Sequence, residues 1–209
     1  IPHGVDQTVF KPGDRAGVRV KLGLPEDAHI VLVAANGIRK SPWKDYRTMR
    51  DAIGRVAELH ADYYHRQWGF GRFFEAKVAT ELAAFFSRYD DARDGFWAVC
   101  KKERLEGAIV IDGKDAAGQG AHLRWFIVSN GMRRQGAGNR LIQTALDFCR
   151  RKRYPAVYLW TFEGLAAACH LYEKHGFILV EQHPGDQWGV TVNEQRFEWT
   201  PRQSDGSIG

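Results

Sequence analysis

The sequence predicts an α/β fold, a central mixed sheet flanked by helices with a β-α appendage at the N-terminus. Three observations carry the prediction. The apolar strand Leu123 to Val128 leads through Arg133-Arg134-Gln135-Gly136-Ala137-Gly138 into the amphipathic run Leu141 to Cys149, a glycine-bearing strand-to-helix turn. A continuous apolar strand, Val157-Tyr158-Leu159-Trp160-Thr161-Phe162, comes next. After it, a second helix from Gly164 to His175 is closed by Gly176 and Phe177.

The elements are justified in chain order. Ile30 to Ala35 is a short two-sided apolar run of the kind found in parallel sheets. Tyr46, Met49, Ile53, Val56, Ala57, Tyr63, Tyr64 and Trp68 then recur at three and four spacing, which predicts one continuous helix or two abutting ones. Gly54 weakens that helix by about 1 kcal/mol relative to Ala. A second helix over Phe74 to Tyr89 offers Val78, Leu82 and Phe86 to a buried face. Phe96 to Cys100 and Leu105 to Ile111 make a hairpin around Lys101 to Arg104, and His122 to Val128 adds the strand feeding the glycine turn. Helix 139–153, strand 156–162, helix 164–175 and strands 177–182 and 192–199 complete the layout. Pro201 to Gly209 is a polar tail expected to be flexible.

The glycine turn carries the chemistry. Two small residues two apart at a strand-to-helix junction let consecutive N–H groups point one way at the positive end of a helix, a way of holding pyrophosphate without a P-loop. The Walker pattern needs a Gly-Lys-Ser/Thr ending and the dinucleotide fingerprint a third glycine, and neither is present here.

Arg133, Gly136 and Gly138 fit an Arg/Gln-x-x-Gly-x-Gly/Ala motif, and Leu171-Tyr172-Glu173-Lys174-His175-Gly176-Phe177 fits a Leu-Tyr-Glu-Lys-x-Gly-Phe ending. On both motifs, residues from about His60 to Trp199 resemble the GNAT acyltransferase superfamily. In finer detail they resemble its branch often fused to MarR-type regulators, through His60-Ala61-Asp62-Tyr63-Tyr64, Trp68-Gly69-Phe70, Leu123-Arg124-Trp125-Phe126 and Gln187-Trp188-Gly189. The resemblance implies acetyl-CoA as acyl donor, a primary amine of a small molecule or peptide as acceptor, and an N-acetyltransferase activity. It puts the pyrophosphate on Arg133 to Asn139 (Arg133, Arg134, Gln135, Gly136, Ala137, Gly138, Asn139) and the pantetheine arm along the backbone of Phe126, Ile127 and Val128, like an added strand. Tyr172 occupies the place of the family's catalytic tyrosine, a general acid for the departing sulfur. The carbonyl oxygen is expected to find an N–H near Phe126 or Ile127. The general base stays open among Glu75, Glu163 and His122, in that order, acting directly or through water. Beside catalysis stands a second reading, a non-catalytic acyl-CoA-binding module.

The first residues fall outside that pattern. Ile1-Pro2-His3-Gly4-Val5-Asp6 and Leu22-Gly23-Leu24-Pro25 resemble the opening of the donor-sugar domain of two-Rossmann-domain glycosyltransferases, with Lys40 or Lys44 in the place of the family's diphosphate ligand. The glutamate pair that grips the sugar there has no counterpart here. The sequence thus divides into a β-α fragment over 1–58, an acetyltransferase domain over 59–200 and a tail over 201–209. A lone β-α piece cannot bury both faces of its strand, so it must dock, form a homodimer or stay mobile.

Composition narrows the classes. With 209 residues, 44% of them hydrophobic, the chain can bury a full core. Thirty basic residues against 25 acidic give a net charge of +5, and Arg150-Arg151-Lys152-Arg153 is the only dense basic run, at a predicted helix C-terminus where cations complement the dipole. No nucleic-acid partner is expected. Cys100, Cys149 and Cys169 lack metal-type spacing and read as free thiols of a cytoplasmic protein, without a metal. No apolar stretch approaches the roughly 18 residues of a membrane span.

Overall fold

The computed structural model describes residues 28–29, 45–101 and 104–201. The elements are β1 (Ala28–His29), α1 (Asp45–Trp68), α2 (Arg72–Ser87), β2 (Gly95–Lys101), β3 (Arg104–Asp112), β4 (Ala121–Val128), a 3-10 turn at Asn130–Met132, α3 (Ala137–Lys152), β5 (Val157–Phe162), α4 (Ala166–Lys174), β6 (Ile178–Gly185) and β7 (Val192–Trp199). The strands form one mixed sheet in the order β1-β2-β3-β4-β5-β7-β6. β4 and β5 pair in parallel, and every other neighbouring pair is antiparallel. The expected strand Ile30 to Ala35, Lys40, Lys44 and the tail after Pro201 lie outside the described residues.

Helical periodicity through Trp68 resolves as one helix that crosses residue 58 without a break. It survives Gly54 because Val56, Ala57 and Leu59 anchor it to the sheet, with Val56 fully buried. α1 and α2 cover one face, where Phe74, Leu82 and Phe85 meet Ala98, Val110 and Phe162. α3 and α4 cover the other, where Leu141, Ile142 and Leu146 meet Ile109, Ile111 and Leu159. Helix bounds differ from the sequence reading by one or two residues. α3 begins at Ala137 rather than 139, because Gly136 adopts the left-handed N-cap conformation, and the basic run ends the helix as the dipole favours, with Arg153 left-handed at φ 56°. Cys100, Cys149 and Cys169 are free, with Cys149 buried. No helix among the described residues is long and apolar enough to cross a membrane, and no group of three or more potential metal ligands occurs among them.

Two irregularities in β4 set up the site. Val110 pairs with Arg124 but Ala108 with Ile127, so β4 carries one extra residue opposite Ile109, and Trp125 takes a left-handed φ of 45°. That bulge inverts the alternation of the strand. Leu123 points to the α3/α4 face, as expected, whereas Trp125 turns to the α1/α2 face and Phe126 and Val128 take the side Trp125 would have had. The parallel ladder between β4 and β5 runs only through Ala121–Val157 and His122–Tyr158. Beyond it β5 stays with β7 to Phe162, and the two strands part into a cleft.

Candidate active site

The glycine turn has the geometry of an anion cradle. Arg134 and Gly136 both take left-handed φ, 61° and 76°. Among the described residues the amides of 134–138 donate to no backbone carbonyl, and the first such bond of the helix is Arg140 N–H to Gly136 O at 3.1 Å. No side chain caps α3 and no acidic residue sits in its first turn, so the positive end of the helix has open donors. The flanking side chains hold the turn in shape. Gln135 Nε2 donates to Gly131 O at 2.8 Å, Arg140 Nη2 to Gln135 O at 3.1 Å, and Arg133 Nε to Val128 O at 3.1 Å while its guanidinium lies 4.4 Å over the Tyr63 ring. Gly138 lets α3 approach: a Cβ there would stand 3.3 Å from Leu171 and 3.5 Å from Phe126. These residues fit a diphosphate, and the open edge of β4 leading away from them fits an extended amide chain.

That edge leads into a cavity of about 140 Å³ in the β4–β5 cleft. Its floor is the bulged stretch of β4, from His122 to Phe126, and β5 supplies Trp160, Thr161 and Phe162. α2 contributes Phe74, Lys77 and Glu81, α1 contributes His60 and Tyr64, and Tyr172 closes the end on the α4 side. Trp188 and Gln187 form a roof that buried Glu194 clasps, accepting from the Gln187 N–H at 2.9 Å and from its Nε2 at 2.6 Å. Two glycines with positive φ make room for aromatic rings beside that roof. A Cβ on Gly164 would overlap the Trp68 ring and one on Gly189 the Phe73 ring, and Trp68 in turn stands edge-on to Phe162 at 5.0 Å.

The lining is electrostatically uneven. Glu81 accepts from Lys77 Nζ at 2.6 Å and from Arg124 Nη2. Arg124 also lies 4.1 Å over the Trp125 ring and 3.8 Å from Asp112, a carboxylate that Arg88 binds with both of its terminal nitrogens. Burial, seconded by the Arg124 charge, pushes His122 down to about 3, and its ring stacks on Tyr158 at 4.3 Å. Burial also lowers His60 to about 4, with its Nδ1–H given to Val56 O at 2.8 Å. Tyr172 and Tyr64 are raised above the ordinary phenol range, first by burial and then by a neighbouring phenol.

Of the sequence candidates, Tyr172, His122 and Phe126 line the cavity, Ile127, Val128 and Arg133 line a neighbouring groove against α1, and the glycine turn adjoins the cavity through Gly138, where a Cβ would stand 3.5 Å from Phe126. Glu75 and Glu163 are exposed and are not in the lining. Glu75 sits in the first turn of α2, while Glu163 Oε2 accepts from Asn193 Nδ2 at 3.0 Å. Their positions are those of carboxylates favoured by a helix N-terminus. Sequence reasoning missed Lys77, Glu81 and His60 as lining residues. The i,i+4 spacing of Lys77 and Glu81 marks a helix face, but only the packing of α2 over Arg124 turns that face into the cleft.

Comparison with known proteins agrees with this geometry. Residues 53–177 match the model of the acetyltransferase (GNAT) family. No curated protein matches the chain in sequence. Several solved structures share its fold. An acetyltransferase of the GNAT family from Staphylococcus aureus Mu50 has a TM-score of 0.58 at 14% identity, covering 83% of this chain and 98% of that one. An acetyltransferase from Streptococcus agalactiae 2603 has a TM-score of 0.60 at 14% identity, covering 85% and 100%. The ribosomal-protein-S18-alanine N-acetyltransferase from Escherichia coli has a TM-score of 0.57 at 15% identity, covering 87% and 99%.

Proposed function

The chain belongs to the acetyltransferase (GNAT) family, enzymes whose acyl donor is acetyl-CoA, and from that premise we propose that it acetylates a primary amine of a small molecule or peptide held in the β4–β5 cavity. The observation that carries this reading is the continuity of the site: open helix N-terminal amides at 134–138 lead along an unpaired strand edge to a cavity that ends on a buried phenol.

Acetyl-CoA supplies the thioester carbonyl that the amine attacks. Arg134 to Gly138 would hold the diphosphate, and the backbone of Phe126 to Val128 the pantetheine amides. An N–H of the bulged stretch at Phe126 or Ile127 serves the carbonyl oxygen as it becomes negative. Tyr172, kept protonated throughout the physiological range by its burial, gives its proton to the departing sulfur. Nitrogen becomes strongly acidic once it bonds to the acyl carbon, so a weak base suffices to take its proton. Of the three candidate bases His122 is the one that lines the cavity, and it is neutral at pH 7. Fixing both reactants in this cleft is worth about 7 kcal/mol or more of the barrier in well-oriented systems.

Acetyl-CoA turnover against a mixed amine panel tests the reading, wild type beside Tyr172→Phe. The wild type should release coenzyme A in the presence of an amine. The variant should lose about 100-fold in kcat, the lower end of what a general acid supplies, with cofactor affinity unchanged. A wild-type protein that binds acetyl-CoA tightly and turns over no amine would instead be a non-catalytic binding module.

A further inference from the structure

Lys77 and Arg124 share one carboxylate, and among the described residues the lining of the cavity contains no other. Asp112, on β3, stands 3.8 Å from Arg124 but is matched by Arg88, which gives it two hydrogen bonds, with a third from the Lys114 N–H. Glu81 therefore balances one of the two cations that reach the cavity, and the site keeps an excess of one positive charge. Both cations have donors to spare. Lys77 spends one of three N–H groups on Glu81, and Arg124 one of five. Their side chains are 29% and 22% exposed, so water and salt screen them less than they would a surface pair. His122, beside Arg124, adds no negative charge.

We propose that the acceptor amine carries a carboxylate, bound between Lys77 and Arg124, and an apolar body seated against the rings of Phe74, Trp160, Phe162 and Trp188. The inference rests on the acetyl-transfer reading above and refines its substrate class. Arg124 directly precedes the bulge at Trp125, where the open edge of β4 brings the reacting end of the donor. The anion contact is therefore close to the reacting carbon, which suits a short separation between amine and carboxylate, as in an α-amino acid. The excess positive charge also favours the neutral, nucleophilic form of the bound amine over its ammonium form. A diamine or polyamine, by contrast, would bring a second cation to a cavity whose one carboxylate among the described residues is already doubly paired.

Leucine and phenylalanine, each compared with its methyl ester, test this with the whole chain. Binding is followed by calorimetry in the presence of coenzyme A, and acetylation with acetyl-CoA. Each free acid should bind at least about tenfold tighter than its ester and show a correspondingly lower KM, the loss of a charge-assisted contact. The amine of the ester is the less basic, so a preference for the acid cannot come from easier deprotonation. Lys77→Gln should erase most of that ratio through KM rather than kcat, and Lys77→Arg should restore it. Acids that bind no tighter than their esters, or a ratio unmoved by Lys77→Gln, overturn the inference even where acetyl transfer is observed. Failure of acetyl transfer from every amine, with the acid preference intact in calorimetry, would sink the activity and keep the carboxylate site.

Discussion

The two halves of the cleft are made of different material. The half we assign to the donor is main chain: a left-handed turn, a row of amides and the bare edge of a strand. The half we assign to the acceptor is side chains brought from several elements, with Lys77 and Glu81 from α2, His60 and Tyr64 from α1, Arg124 from β4 and Trp160 from β5. The backbone geometry of the donor half is set by left-handed Arg134 and Gly136 and braced by Gln135, Arg140 and Arg133, all within the turn and its helix or just before them. The acceptor half can change charge and shape one residue at a time without disturbing the amides. Such a division lets one fold keep its donor while its acceptors diverge.

The largest effect should come from spoiling the main-chain half. Gly136→Glu places a side chain at φ 76° and a negative charge where the phosphates would lie. Coenzyme A affinity should fall by more than about 100-fold, since both the cradle and the local field are lost. A Cβ at residue 136 would meet only the Arg140 guanidinium, at 3.4 Å or more, so the fold should persist by circular dichroism. Calorimetry with coenzyme A gives the answer, and retained affinity would remove the turn from the site.

A mid-sized effect should come from the rim of the side-chain half. Gly164→Ala adds a Cβ at φ 104° into the Trp68 ring. The strained backbone costs about 1–3 kcal/mol, and the displaced ring loosens the contact with Phe162. The acceptor KM should rise several-fold while coenzyme A binding holds. If both affinities fell together, the two halves would not be separable as drawn.

The contrast also explains what was legible in the sequence. The turn at 133–138 and the motif from Leu171 to Phe177 that closes α4 are local strings whose residue types are dictated by backbone conformation, so they could be found by reading along the chain. The Trp125 bulge could not. Its left-handed residue is a tryptophan rather than a glycine, and regular alternation would have put that ring on the opposite face. Lys77 and Glu81 look like an ordinary solvated i,i+4 pair until α2 packs over Arg124. Glu75 attracts notice beside the loop from Trp68 to Phe74 and Glu163 after the strand that ends in Thr161-Phe162, yet proximity in sequence to the cleft did not bring them into its lining. One-dimensional motifs report the main-chain half, and the side-chain half is written in contacts 40 residues or more apart, such as Arg124 with Glu81.

The smallest expected effect is in acid, and it too separates the halves. His60 is 5% exposed and held down at about 4, by burial, from an ordinary 6.5. The unfolded chain takes up this proton as pH falls through 6.5, while the folded chain resists it until about 4. Stability is therefore complete above pH 6.5 and is lost as pH falls from there toward 4, by up to about 1.4 kcal/mol per pH unit for this one group. His122, lowered still further by the same cause, adds a slope of the same sign. Urea unfolding at pH 7.5 and pH 5 should show the loss, and His60→Gln should recover about 2 kcal/mol of it at pH 5. The amides at 134–138 do not titrate, so the affinity for dephospho-coenzyme A, which lacks the phosphate monoester that titrates at about pH 6, should stay level per folded molecule across the same range. A wild-type curve as flat as that of the variant would mean that His60 is charged inside the fold, and the acceptor half would then carry more positive charge than Lys77 and Arg124 alone provide.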